Sequence, residues 1–165
     1  MYKIGDTVIY GTEGICEVTD ITEMSFGGGK SQYYILTPVS KRQNTIYAPT
    51  GNDKIKKRMR TILTREEARA LIDSLPIDPM EWEENSHVRQ DLFKNILLCG
   101  SPEDVFSMLT ALYNKQNDQE KIGKKLHAAD ERVMREGERM LFSELAYALD
   151  IDVNQVEKEV FLNLR

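Results

Sequence analysis

The chain has 165 residues, of which 41% are apolar and 30% charged, a balance that suits one ordinary domain or two small ones that fold and stay in solution. No run of 18 or more apolar residues occurs, which excludes a membrane-spanning helix, and the opening Met1-Tyr2-Lys3-Ile4-Gly5-Asp6 lacks a signal peptide's apolar core, so a cytoplasmic location is expected. Residues 1–65 hold ten Lys and Arg against six Asp and Glu, a net of +4. Residues 66–165 hold twelve against twenty-one, a net of -9, which argues against indiscriminate binding to DNA phosphates; any DNA contact there needs a local basic patch.

The first 60 or so residues predict strands. Residues 3–10 alternate apolar and polar, and Gly14-Ile15-Cys16-Glu17-Val18-Thr19-Asp20-Ile21, Tyr33-Tyr34-Ile35-Leu36 and Asn44-Thr45-Ile46-Tyr47-Ala48-Pro49 follow. Short β-branched and aromatic runs between turn residues point to a small antiparallel barrel. Gly27-Gly28-Gly29 is a hairpin tip, since no helix with a GK[ST] signature follows to make it a phosphate cradle.

Thr64-Arg65-Glu66-Glu67 then has the form of a capping box, with Ala68, Leu71, Ile72 and Leu75 at helical spacing and Pro76 as the stop. Residues 76–86 form a polar linker that holds the only tryptophan, Trp82. A helix over about 86–98 ends at Gly100. Ser101-Pro102-Glu103-Asp104 opens the next, with Val105, Met108, Leu109 and Leu112 on one face. A polar stretch over 114–125 precedes a long helix near 127–149. Asp152 caps a last helix that should bury Val156, Val160 and Leu162. The fold class expected is α+β in two domains: a small barrel over 1–62 and a compact all-α domain over 63–165.

No assembled chemistry is visible. His87 and His127 lack metal-ligand partners at i+3 or i+4, and no GxSxG, Walker or dinucleotide fingerprint occurs. Cys16 and Cys99 are too few for a disulfide framework or a metal site, and both are expected to be buried as small hydrophobes. Acidic pairs such as Glu66-Glu67 suit a helix start better than acid–base catalysis. No enzyme, metal or cofactor is expected.

Two features invite a binding reading. Lys121, Lys125, Arg132, Arg135 and Arg139 are spaced 4, 7, 3 and 4 apart, which on a continuous helix is one face; Arg132, Arg135 and Arg139 are its secure members. That face either meets phosphate or is solvated, with ion pairs such as Arg132–Glu136 and Arg135–Glu131. Trp82 lies outside every apolar stripe, so little core packing is assigned to it. It either anchors the linker or forms an exposed wedge against bases.

The opening Lys3-Ile4-Gly5-Asp6-Thr7-Val8-Ile9-Tyr10 with Gly14 resembles CarD/CdnL-type bacterial transcription regulators and the polymerase-interacting domain of the transcription-repair coupling factor. Tyr33-Tyr34-Ile35-Leu36 and Thr45-Ile46-Tyr47-Ala48-Pro49 fit the next strands. Trp82 takes the place of that family's linker tryptophan. Residues 126–148, with Arg132, Met134, Leu141 and Glu144-Leu145-Ala146, resemble its long C-terminal helix. The resemblance implies a Tudor-like barrel that pairs a strand edge with the RNA polymerase β subunit. It also implies a helical domain on promoter DNA, without sequence specificity, whose tryptophan enters the minor groove at the upstream edge of the melted region and stabilises the open complex. Carried over by position, the polymerase contacts are Met24, Phe26 and Tyr47, and the DNA contacts are Trp82, Arg89, Lys115, Arg132, Arg135 and Arg139. Met24 and Tyr47 stand where the family commonly holds basic residues, and Glu83, Glu84, Asp91 and Glu131 make the wedge region more acidic than is usual. The alternative is a protein–protein adaptor that docks on polymerase without touching DNA, as the acidic second part would suit.

Overall fold

The computed structural model describes residues 1–164, and the chain divides into two compact units, Met1–Ile62 and Leu63–Arg165. The first unit contains β1 (Thr7–Tyr10), β2 (Gly14–Phe26), β3 (Gly29–Pro38), β4 (Ile46–Pro49), α1 (Asp53–Arg58) and β5 (Met59–Thr61). These strands form one antiparallel sheet in the order β4-β3-β2-β1-β5. Its concave side closes over Val8, Cys16, Val18, Tyr34, Leu36, Ala48 and Met59, the barrel-like arrangement expected.

The first strand is shorter than its alternation suggests. Asp6 Oδ2 accepts a hydrogen bond from the Lys3 amide at 2.7 Å, Gly5 takes φ of 92°, and Ile4 is left outside the core. Regular pairing begins at Thr7, after an irregular start in which the Gly5 amide donates to the Val18 carbonyl at 2.8 Å and the Val18 amide to that of Asp6 at 2.9 Å. At the other end of β2, Gly27 and Gly28 have φ of 65° and 92°. A two-residue hairpin turn of type I′ demands positive φ at both centres, which glycine adopts without strain.

Strand β2 is interrupted by a bulge. Val18 pairs with Leu36, and the next pair is Asp20 with Ile35, so Thr19 is an extra residue. Its hydroxyl donates to the Ile35 carbonyl at 3.1 Å. Before it, Cys16 and Val18 point into the core. Beyond it, Ile21 pairs with inward-facing Tyr34, so Thr22, Met24 and Phe26 are turned to the outer face.

The second unit is all helical: α2 (Arg65–Asp73), α3 (Ser86–Cys99), α4 (Pro102–Lys121), α5 (Ala128–Leu149) and α6 (Val153–Asn163). Two helices start with complete capping boxes. Ser101 and Asp104 exchange bonds at 2.9 and 3.1 Å, and Thr64 and Glu67 at 2.8 and 3.2 Å; the latter pair holds the Glu67 carboxyl below its ordinary range. Asn85, His127 and Asp152 cap α3, α5 and α6. The core gathers Ile72, Phe93, Phe106, Met108, Leu109, Leu112, Leu145, Val156 and Val160 at no more than 1% exposure, a continuous centre shared by all five helices. Gly137 lets α5 approach α4, since a Cβ there would lie 3.1 Å from side-chain carbons of both Met108 and Leu109. The buried Glu144 carboxylate accepts the Leu63 amide at 3.1 Å.

Several expectations are corrected. Helix α4 runs through the polar stretch to Lys121: residues 114–121 contain neither Gly nor Pro, and half-buried Lys115 and Gln116 keep one side against the domain. Gly123, at φ of 72°, ends it, so Lys121 and Lys125 do not share a helix with the arginines. Leu162 is 67% exposed; Phe161 turns inward instead, its ring 6.2 Å from Phe142 and 5.8 Å from Tyr113. Helix α1, capped by Asn52, had no apolar period to announce it.

The two cysteines also part company. Cys16 is buried in the sheet, and burial pushes its thiol up to about 11, whereas Cys99 is exposed near the end of α3. A thiol reagent at pH 8 should therefore label Cys99 alone in the folded chain and reach Cys16 only after denaturation. Rapid labelling of both cysteines under native conditions would contradict this packing.

Candidate polymerase-facing and Trp82 sites

Because of the bulge, Met24 and Phe26 share the outer face of the sheet with Tyr33, Ile35 and Tyr47. Ile35 pairs directly with Tyr47, and Phe26 packs edge-on to Tyr33 with centroids 5.6 Å apart. Phe26 is 61% and Tyr47 50% exposed, large fractions for side chains of this size. The face ends at β4, the last strand in the sheet order, which among the described residues has no partner on its other side. All three sequence-derived positions, Met24, Phe26 and Tyr47, thus fall on one surface. Tyr33 and Ile35 were missed as members. Their signal was the alternation in Tyr33-Tyr34-Ile35-Leu36, which sends Tyr34 and Leu36 inward and the other two outward.

The second site surrounds Trp82, and here the structure changes the expectation. The indole is partly buried and packs against the helical core, edge-on to Phe93 at 6.2 Å. The Arg89 guanidinium carbon lies 4.7 Å and the Lys115 ammonium 5.1 Å from the ring centroid. Both distances fall within cation–π range. Trp82 lies outside the helical stripes because it belongs to the linker, yet the linker folds back over α3 and α4: the Met80 amide donates to the Ser107 carbonyl at 3.2 Å and the Ser107 hydroxyl to that of Asp78 at 2.8 Å.

Arg89 is not placed for phosphate. It is 6% exposed and its guanidinium meets Asp130, itself 1% exposed, through Nε at 3.0 Å and Nη2 at 2.9 Å. Its Nη1 donates to the carbonyls of Glu83 at 2.8 Å and Glu84 at 3.3 Å. The fork is spent on internal acceptors.

Trp82, Arg89 and Lys115 do converge on one cleft of about 310 Å³, which Lys125, His127 and Asp130 also line. Lys115 keeps only a loose contact with Glu84, at 4.0 Å. Lys125 and His127 were not singled out for this cleft; a turn between two helices carries no periodic signal. Arg132, Arg135 and Arg139 remain exposed on α5. Arg135 pairs with Glu131 at 2.6 Å, while Arg139 pairs with Glu136 at 2.6 Å, which takes from Arg132 its expected partner. Arg132 has no ion-pair partner among the described residues. The buried face of α5 is centred on Met134, Gly137, Leu141 and Leu145, with Val133 and Met140 at its margin.

No described group of three or more His, Cys, Asp or Glu side chains could hold a metal ion, and no helix among the described residues is long and apolar enough to cross a membrane. The most perturbed hydroxyl, Tyr113, donates to Glu138 at 2.7 Å; burial raises both groups above their ordinary values, foremost for each. It lines a separate groove with Ile77, Thr110 and Phe161.

Residues 2–63 match the family described as the CarD-like/TRCF RID domain, and the matched segment coincides with the first compact unit. That family consists of non-catalytic RNA polymerase-interacting domains. No curated protein matches the chain.

The packing of Trp82 generates a prediction. Trp82→Ala should lower the stability of the helical domain by about 2 kcal/mol, less than the ~3–5 kcal/mol of a fully buried Trp. A loss of that size lowers the melting temperature by roughly 10 °C in a domain of this length. Circular dichroism melting is the check, and an unchanged melt would show that the ring adds nothing to the core.

Proposed function

With an N-terminal domain that belongs to the CarD-like/TRCF RID family as the premise, we propose that this chain is a transcription regulator that docks on the RNA polymerase β subunit through its sheet and stabilises the open promoter complex through its helical domain. The observation that carries the reading is the outer face of β2, β3 and β4. In a domain of polymerase-interacting type, five apolar or aromatic side chains lie on one surface beside an unpaired strand edge. A strand of the β subunit added to β4 would gain main-chain hydrogen bonds, and Met24, Phe26 and Tyr47 would supply the side-chain contacts. Tyr47→Asp, which puts a charge on this face at its open strand edge, should weaken binding to a β-subunit fragment by about tenfold or more without lowering the melting temperature. Calorimetric titration of the full chain decides it, and equal affinity for the variant would remove the face from the interface.

The DNA half of the proposal rests on the Trp82 cleft. The ring sits beside Lys115 and Lys125, with Arg132 on the same domain, and these supply an aromatic surface and cations for a phosphate backbone. Stabilisation would come from binding the melted state better than the closed one, with no nucleotide turnover. At saturating protein, an open complex on a melted-fork promoter should live measurably longer. An unchanged lifetime would count against this half and favour the adaptor reading. That alternative is supported by the engagement of Arg135 and Arg139 with carboxylates of their own helix.

A further inference from the structure

Arg89 does three things at once. It lies over the indole within cation–π range, takes the carbonyls of the two residues that follow Trp82, and is gripped by a buried carboxylate from α5. The carboxylate is oriented in turn: Asp130 Oδ1 accepts from the Gln90 amide at 2.7 Å, so both of its oxygens are engaged and the guanidinium plane is fixed on two sides. A planar fork held this way can press one face on a ring while its edge ties down the chain beyond it, which an ammonium cannot do.

A pair so well buried is poor evidence for stability in itself. Removing two charges from water costs much of what their attraction returns, and apolar pairs of similar volume often serve the fold as well. The geometry points to a different use: we propose that Asp130 is a positioning residue, which acts through Arg89 to hold the Trp82 ring and the linker after it in one pose. The functional half of this rests on the DNA reading of the Trp82 cleft. A ring immobilised before it meets the nucleic acid loses less freedom on binding. Lys115, on the same ring but with its side chain 30% exposed and its ammonium 4.0 Å from Glu84, stays available to phosphate.

Trp82 is the sole tryptophan, so its emission reports the ring alone. Two variants separate positioning from folding. Arg89→Lys keeps a cation beside Asp130 but lacks the fork and the stacking plane. The double variant Arg89→Met with Asp130→Leu removes both charges together, so neither is left buried alone. Each should melt cooperatively. In each, indole emission should shift to longer wavelength and acrylamide should quench it more readily, and the open-complex lifetime should fall by about tenfold, toward that of Trp82→Ala. Unchanged emission and quenching in the folded variants would overturn the proposal. So would a freed indole with an undiminished lifetime where Trp82→Ala shortens it. If Trp82→Ala leaves the lifetime unchanged, the DNA reading itself fails and the functional half of the positioning role falls with it, whatever emission and quenching show.

Discussion

Strand β2 opposes β3 with one residue too many, and the side chains beyond Thr19 have exchanged faces. In an unbulged strand, Met24 and Phe26 would share the parity of Cys16 and Val18 and point into the core. The core is already formed without them, by Val8, Cys16, Val18, Tyr34, Leu36, Ala48 and Met59. The bulge resolves this by turning the outer half of the hairpin over, so that apolar residues which a regular strand would bury are presented to solvent. The surface that the proposed docking depends on is thus a consequence of register, and it exists only while Thr19 stays unpaired with its hydroxyl on Ile35.

A comparable displacement of role occurs in the helical domain. Read along the chain, Arg89 is a cation near acidic residues, which invites a phosphate partner. In space it lies beside Asp130, 41 residues away, in surroundings from which water is nearly excluded. A guanidinium in such a place must find acceptors, and it finds two carbonyls and a carboxylate. The exposed cations differ. Arg135 and Arg139 hold short contacts with Glu131 and Glu136, but surface pairs of this kind are worth only about 0.3–0.5 kcal/mol and exchange readily for other partners. Burial, more than charge, divides structural from available arginines here.

How much of the fold was legible in the sequence depends on the range of the forces involved. Capping boxes act over three residues, so the starts of α2 and α4 could be read directly from Thr64-Arg65-Glu66-Glu67 and Ser101-Pro102-Glu103-Asp104. The glycine hairpin and the strand-rich first unit were legible for the same reason. The bulge was not, because whether Thr19 pairs depends on β3, some sixteen residues on. The full length of α4 was hidden since polar residues mark a solvated helix and a loop alike. The packing of Trp82 could not be read between anchor and wedge, because periodicity tests only helices and strands and a linker packs by irregular contacts. Cys99 and Leu162 were assigned to the interior by residue type, which is a weaker guide than position on a helix face.

Charge sets the order in which such a protein could meet its partners. The helical part carries an excess of nine acids over residues 66–165, so at long range it is repelled by a polyanion. At physiological salt that repulsion is screened beyond about 8 Å. On the proposed reading, Lys115, Lys125 and Arg132 would then act only once the domain is already close. Close approach has to come from elsewhere, and the outer sheet face is suited to it, because an apolar contact carries no charge for salt to screen. A domain delivered by docking needs little affinity of its own, since tethering replaces free concentration with a local one of order millimolar. On the proposed reading, weak intrinsic attraction to DNA would be an advantage: it would discourage binding away from polymerase and leave discrimination to the melted fork, where a pre-positioned ring would have something to stack on.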